Sequence, residues 1–223
     1  KILAGIESSD CGGEVKFMKD IRVAFLDQSF NFNPHHTIFE EVYAHMGNIA
    51  PEIREYEAAV ASGNSSRLER AIASMDASGS WDIEHNIRQV LSQLKIEQLN
   101  QPMSELSGGE AKRVALACMI LQNADFLIMD EPTNHLDIEI IEYLENFLQR
   151  SRCTLFMVTH DRYFLDRVCN TIMEIDRGNL YTYRGNYTQY LEKREERYAN
   201  MQAEIDKSRN LLRRELEWIR STP

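Results

Sequence analysis

The spacing of apolar positions changes character twice along the chain, and these changes define its parts. Glu14–Phe17 and Ile21–Asp27 carry short strand-like runs, the second holding Ile, Val, Phe and Leu. After Asn33-Pro34 the strand signal stops. Residues 36–103 show helical periodicity in several pieces, interrupted near Gly47, Pro51, Gly63 and Gly79. Thr37 followed by Glu40 has the spacing of a capping box for the first piece. From Leu106 the pattern alternates: a helix through Ala115–Leu121, a strand at Phe126–Met129, a helix at Ile138–Gln149. A strand at Thr154–Val158 and a helix at Tyr163–Val168 follow. Continuously apolar strands alternating with amphipathic helices predict a buried, mostly parallel sheet, hence an α/β fold. Thr171–Ile175 and Leu180–Tyr183 read as two more strands about the turn Arg177-Gly178-Asn179. Beyond Tyr187 the chain is charge-rich and helical to about Ile219. Leu191, Tyr198, Ile205 and Leu212 recur every seven residues, a spacing that suits a helical arm or coiled-coil hairpin.

Composition narrows the class. A 43% hydrophobic fraction supports a packed core in a chain of 223 residues. The longest apolar run, Val114–Leu121, is far below the roughly 18 residues of a membrane helix. Lys1-Ile2-Leu3-Ala4-Gly5 is too short and polar-flanked for a signal peptide, and reads as the tail of a helix. Cys11, Cys118, Cys153 and Cys169 show no C-x-x-C spacing; Cys118 and Cys169 fall in apolar helical patterns and read as buried free thiols, fitting a reducing cytoplasm. The net charge of −10 excludes a protein that grips nucleic acid with its whole surface. The segment from Asn186 onward is nearly balanced, eight Lys/Arg against seven Asp/Glu, so a local RNA contact would fall there.

Two candidate sites for phosphate chemistry lie close together. Ser107-Gly108-Gly109-Glu110 has the pattern of a capped helix start, in which small residues leave backbone amides open to an anion. An ordinary capped helix would look the same in isolation. Asp130-Glu131 stands at the end of a buried strand, where α/β sheets place ligands. One carboxylate there can hold Mg²⁺ through water while its neighbour polarises an attacking water. Asp137, after Asn134-His135-Leu136, fits a helix N-cap, a site residue, or both. His160, in Thr159-His160-Asp161, follows another strand, where a lone histidine is usually structural; Gln28, after the strand ending at Asp27, is a weak signal by itself. His35-His36 lacks partners at metal-ligand spacing and reads as a loop entering a helix.

Taken together, Leu106-Ser107-Gly108-Gly109-Glu110, Phe126–Glu131 and Asn134–Asp137 resemble the signature, Walker B and D-loop of an ABC-type ATPase. The form Glu131-Pro132-Thr133-Asn134-His135-Leu136-Asp137 resembles the ABC-F family; transporter cassettes typically have Ser-Ala-Leu-Asp or similar after Pro-Thr. Thr159-His160-Asp161-Arg162-Tyr163-Phe164-Leu165 and Tyr183-x-Gly185-Asn186-Tyr187-x-x-Tyr190 are similar to that family too. The end, through Arg213–Arg220, resembles the start of an inter-cassette linker in its Uup-like form. The resemblance implies an ABC core remnant over 1–35, a helical subdomain over 36–103, the remaining core over 104–185 and a linker over 186–223. It implies ATP and Mg²⁺ as cofactors, with Glu131, His160 and Gln28 catalytic, and Asp130 with Gln28 at the metal. Ser107, Gly108, Gly109, Glu110 and Asp137 would contact nucleotide. The implied setting is a cytoplasmic ATPase without membrane insertion, working with a second cassette of the same polypeptide on the ribosome or RNA. A transporter's ATP-binding subunit and a non-catalytic ribosome-binding module are the competing readings. The linker would serve as a solvated spacer or contact RNA through Arg213, Arg214 or Arg220.

One motif departs from this pattern. The sequence contains no Gly-x-x-x-x-Gly-Lys-Ser/Thr, and Lys1, followed by Ile2, cannot be a phosphate-cradling lysine. The expectation is a cassette without its Walker A segment, by truncation or by degeneracy, and inactive alone.

Overall fold

A computed structural model of the chain describes residues 2–8, 12–27, 32–46 and 51–221. Gln28, Cys11, Lys1 and the expected break at Gly47 lie outside the described residues. Two units emerge from the internal packing, residues 1–160 and 161–223, and each is described by itself.

The first unit is built on three parallel strands, β1 (Val23–Leu26), β2 (Phe126–Asp130) and β3 (Thr154–Val158), in the order β1-β2-β3. β2 sits between the other two: Phe126 pairs with Val23 and with Thr154, and Asp130 with Val158. Leu127, Ile128 and Met129 are buried, as their uninterrupted apolar run requires of a strand covered on both faces. β3 is equally apolar but only half-buried, with Val158 exposed.

Residues 36–103 are helical, as their periodicity predicts, in α1 (Ile38–His45), α2 (Pro51–Ser62), α3 (Ser65–Ser78) and α4 (Trp81–Gln93). Each start or stop has a local cause. Thr37 and Glu40 form the expected capping box on α1. Pro51 opens α2 rather than merely separating two helices, since its fixed φ and missing N–H cost nothing at a first position. Gly79, at φ 67°, closes α3 by returning its N–H to Met75. The entry and exit of this segment are hydrogen-bonded together: Met103 N–H donates to His36 O at 2.8 Å, Ile38 to Gln101 O at 3.0 Å, and Phe39 to Leu99 O at 2.9 Å. His36 lies in the loop entering α1, where its Nδ1 is 2.8 Å from Oε2 of the buried Glu41. Among the described residues no group of three or more His, Cys, Asp or Glu could hold a metal ion.

α5 (Gly108–Leu121) packs against α1, α4 and β1, and every residue from Val114 to Leu121 is buried. A helix apolar on nearly all sides belongs in the interior. α6 (Ile138–Arg150) is amphipathic, burying Ile140, Leu144 and Leu148. Two N-terminal expectations are corrected. Glu14–Phe17 forms no strand: Val15 and Phe17 are exposed, and no described strand pairs with the run. Residues 2–5 form a turn, not a helix end, closed by Gly5 N–H donating to Ile2 O at 3.0 Å.

The second unit contains α7 (Arg162–Val168), the antiparallel pair β4 (Thr171–Asp176) and β5 (Asn179–Arg184), and α8 (Tyr187–Ser221). Positive φ at Arg177 (50°) and Gly178 (78°) gives the two-residue turn whose twist suits a hairpin. On the hairpin face toward α8, Arg197 pairs with Glu174 at 2.9 Å and Asp176 at 3.3 Å, its guanidinium 3.7 Å from the Tyr181 ring centre. α8 runs unbroken for 35 residues, because no Gly or Pro interrupts it; of the helical arm or coiled-coil hairpin that the spacing allowed, the described residues form the helical arm. Of the two thiols expected to be buried, Cys118 is, whereas Cys169 is half-buried. Among the described residues no helix is long and apolar enough to cross a membrane.

Candidate functional site at the end of the second strand

The strand β2 delivers Asp130 and then stops, because Glu131 turns into the left-handed region at φ 47°. His135 does the same at φ 62°, so the loop between β2 and α6 carries two non-glycine residues in a costly conformation. Such strain, about 1–3 kcal/mol per residue, persists where surrounding bonds over-determine it. Glu131 is held at every polar atom. Its N–H donates to Val158 O at 2.8 Å, extending the β2–β3 ladder by one residue. Its carbonyl accepts from Asn134 N–H at 3.4 Å and from the ammonium of Lys112.

The carboxylate of Glu131 is 5% exposed on a whole-residue basis and points to the end of β3. Oε2 accepts from Thr159 Oγ1 at 3.2 Å and from the backbone N–H of His160 at 3.3 Å; Oε1 lies 3.3 Å from His160 Nε2. The His160 side chain itself is 97% exposed. A carboxylate anchored on one side, beside an imidazole open to solvent, is placed to orient a water molecule.

Ser107 and Glu110 form the capping box read from the sequence. Ser107 Oγ accepts Glu110 N–H at 3.3 Å, and Glu110 Oε2 accepts Ser107 N–H at 2.8 Å and Ser107 Oγ–H at 2.7 Å. These bonds, the hydroxyl first, hold the Glu110 carboxyl below its ordinary range. Gly108 faces open space, whereas a Cβ on Gly109 would come 3.4 Å from the carbonyl oxygen of His135. The first turn of α5 thus lies against the loop that follows Glu131. Asp137 accepts Ile140 N–H at 3.1 Å as the N-cap of α6, and Lys95 Nζ lies 3.3 Å away. The cap bond, then Lys95, holds Asp137 below its usual carboxylate range.

The structure therefore brings Glu131 and His160 into contact, with Asp130 adjacent along the strand. It sets Gly109 against the same loop and engages Asp137 in capping. Gln28 lies outside the described residues. Lys112 and Thr159 were missed by sequence reasoning. Lys112 did leave a signal, since a lysine three and four residues before Ala115 and Leu116 stands on the buried stripe of its helix. Burial lowers its pKa, against the opposing pull of Glu131 and Asp130.

The donor set fits Mg²⁺ and a phosphate ester. Asp130 and Glu131 supply hard oxygen donors, and a magnesium site needs only one or two carboxylates beside water and phosphate oxygens. Gly108 and Gly109 open α5, and the amides of a helix's first turn suit an anion.

Comparison with known proteins agrees with this geometry. A family model described as ABC transporter matches residues 3–134, and a second with the same description matches residues 173–223. An uncharacterized ABC transporter ATP-binding protein of Bacillus subtilis, YfmR, is 44% identical over 228 residues, covering 99% of this chain and 36% of YfmR. The energy-dependent translational throttle protein EttA is 34% identical in Escherichia coli K12 and 35% in Mycobacterium tuberculosis H37Rv. Each match covers 99% of this chain and 41% of EttA. The chain therefore spans about two fifths of the curated relatives it matches. Among solved structures, an ATP-binding subunit of an ABC transporter superposes with TM-score 0.56 at 16% identity, covering 73% of this chain and 59% of that one. The RNase-L inhibitor gives TM-score 0.50 at 25% identity, covering 81% and 30%. Proteins of this family bind nucleotide with Mg²⁺ and hydrolyse ATP. With its parallel sheet, capped signature-like helix and paired acids at the strand end, this chain belongs to the ABC transporter family, as an ABC-type α/β ATP-binding domain.

Proposed function

We propose that the chain is one cassette of an ABC-F ATPase that couples ATP binding and hydrolysis to action on the ribosome. The observation that carries this reading is the Glu131 carboxylate, buried and held by Thr159 and His160, directly ahead of Asn134-His135-Leu136-Asp137. Glu131 polarises the attacking water and His160 steadies it beside the γ-phosphate, while Asp130 and Gln28 would hold Mg²⁺. Mg²⁺ would supply charge neutralisation at the transferred phosphoryl group. Gly108 and Gly109 present amides to an ATP held mainly by a second cassette, with Ser107 and Glu110 fixing that turn through their capping box and Asp137 at the loop between them.

The assignment to ribosome action is supported by the likeness to EttA, a translational throttle protein by name. The hydrogen-bonded closure of residues 36–39 on 99–103 supports the helical segment as a discrete insertion in the ATPase core. In this reading α8 begins the linker between cassettes, in Uup-like form, and the protein works in the cytoplasm. The chain alone lacks a phosphate-cradling Gly-Lys-Ser/Thr and does not turn over ATP.

The test is ribosome co-sedimentation of the full-length protein carrying Glu131→Gln. Trapping on ribosomes with ATP is expected. Association with a membrane protein through residues 36–103 instead would favour a transporter subunit, and ribosome binding indifferent to nucleotide would favour a non-catalytic module. Mg²⁺-dependent turnover by the isolated chain, lost in Glu131→Gln, would overturn its expected inactivity.

A further inference from the structure

We infer that Lys112 is a positioning residue that ties the seating of helix α5 to the orientation of the Glu131 carboxylate. The inference rests on the role given to Glu131 above. Lys112 is 3% exposed, and its ammonium donates to the carbonyl oxygen of Glu131. Burying an ammonium costs several kcal/mol unless hydrogen bonds and nearby charge offset it. Packing alone would be met by Met or Leu at this position. The charge instead stands at the end of β2, near Asp130 and Glu131, both of which favour its protonated form.

Consider what the bond constrains. Glu131 occupies the left-handed region at φ 47°, so its peptide can rotate toward an easier conformation unless both ends are pinned. Val158 O pins the N–H at 2.8 Å; Lys112 and Asn134 pin the carbonyl. The carboxylate direction, toward Thr159 and His160, follows from that peptide orientation. Lys112 lies one helical turn beyond Gly109, whose backbone abuts His135 O in the same loop. α5 therefore meets the loop at two points: Gly109, where a Cβ would come 3.4 Å from His135 O, and the charged hydrogen bond from Lys112 to Glu131. An anion drawn to the Gly108 and Gly109 amides shifts or firms the first turn of α5, and Lys112 carries that displacement to the residue that orients water. Coupling of this kind is reciprocal: orientation of Glu131 alters anion affinity at the helix start by the same factor.

The test compares Lys112→Met with Lys112→Gln. Methionine keeps the unbranched shape without donor or charge; glutamine keeps a donor. In the full-length ATPase, Lys112→Met is expected to lower kcat about 10- to 100-fold, from the usual worth of a charged hydrogen bond, with KM within about twofold. Lys112→Gln should regain part of that loss. In the 223-residue chain, Lys112→Met should speed amide exchange at Glu131 and Asn134 while leaving Val114–Leu121 protected. Unchanged kcat in folded Lys112→Met, or unchanged exchange at Glu131 and Asn134, would overturn the inference. Equal loss in Met and Gln variants with global loss of protection would make Lys112 structural only, which also overturns it. Absence of ATPase activity in the wild-type full-length protein would instead remove the functional reading, and the exchange measurement would then decide the positioning claim alone.

Discussion

The backbone N–H of His160 donates to Glu131 Oε2 at 3.3 Å, while the ring Nε2 of the same histidine lies 3.3 Å from Oε1. Two residues 29 apart in sequence are thereby joined across the ends of adjacent parallel strands. The backbone bond fixes the carboxylate whatever the ring does, and the imidazole side chain is 97% exposed to solvent. Removing the acid should separate binding from chemistry. Glu131→Gln keeps acceptor capacity toward Thr159 and His160, so the fold should persist. Hydrolysis by the full-length protein should fall about 100-fold or more, the usual scale for loss of a general base. Nucleotide affinity by equilibrium titration should change little; a parallel collapse of affinity would contradict the assigned role.

Thr159 orients the same carboxylate through a side-chain hydroxyl at 3.2 Å. Thr159→Val removes the donor at constant shape. The net worth of one such bond is about 0.5–1.5 kcal/mol, or roughly two- to tenfold in kcat. Steady-state kinetics should show this loss in kcat rather than KM, and a full-length variant with unaltered kcat would show the bond to be incidental.

The capping box at Ser107 and Glu110 gives a pH-dependent signature. Glu110 titrates lower in the folded chain than in the unfolded one, because its ionised form accepts from Ser107. Its contribution to stability is therefore complete above the unfolded value, about 4.5, and disappears as pH falls through the lower folded value. Ser107→Ala should cost about 0.5–2 kcal/mol at neutral pH by chemical denaturation. Glu110→Gln keeps an acceptor but no titration, so the stability gap between it and the wild type should narrow on acidification. A gap that widens at low pH would mean that the fold favours the protonated Glu110 carboxyl instead.

The core prediction concerns Leu116, fully buried on α5. Leu116→Ala removes three carbons from an interior that cannot fully collapse, and should destabilise the chain by about 2–5 kcal/mol. Urea unfolding followed by circular dichroism measures it; a cost below that of an exposed Leu211→Ala control would mean that α5 is not central.

Burial pushes the Cys118 thiol up to about 12. At pH 8 the native chain should therefore leave Cys118 unmodified by a thiol-specific reagent, with labelling appearing on unfolding, because the thiolate is the reactive form. Mass spectrometry of the labelled peptides distinguishes it from Cys153 and Cys169.

Much of this site was legible before any coordinates. Periodicity located the strands at Phe126–Met129 and Thr154–Val158 and the helix between them; the first is apolar throughout because it is covered on both faces, whereas the second is only half-buried. The spacing of Ser107 and Glu110, and of Thr37 and Glu40, announced two capping boxes that the structure contains, since these bonds join residues within a single turn. Glu14–Phe17 misled because a four-residue alternating pattern carries no information about a pairing partner. His36 with Glu41 escaped notice for a related reason: their pairing depends on how the loop enters α1.

By itself, the sequence determined the order of elements, the capped helix start and the acids at the end of a buried strand, all of which follow from local periodicity and short-range hydrogen bonding. Only the tertiary structure decided that Glu131 turns left-handed under the grip of Val158, Asn134 and Lys112, and that Thr159 and His160 seize its carboxylate. Apart from the short turn to Asn134, those contacts join residues 19 to 29 apart in sequence across α5, β2 and β3. Their geometry is set by strand register and helix packing, which no local pattern encodes.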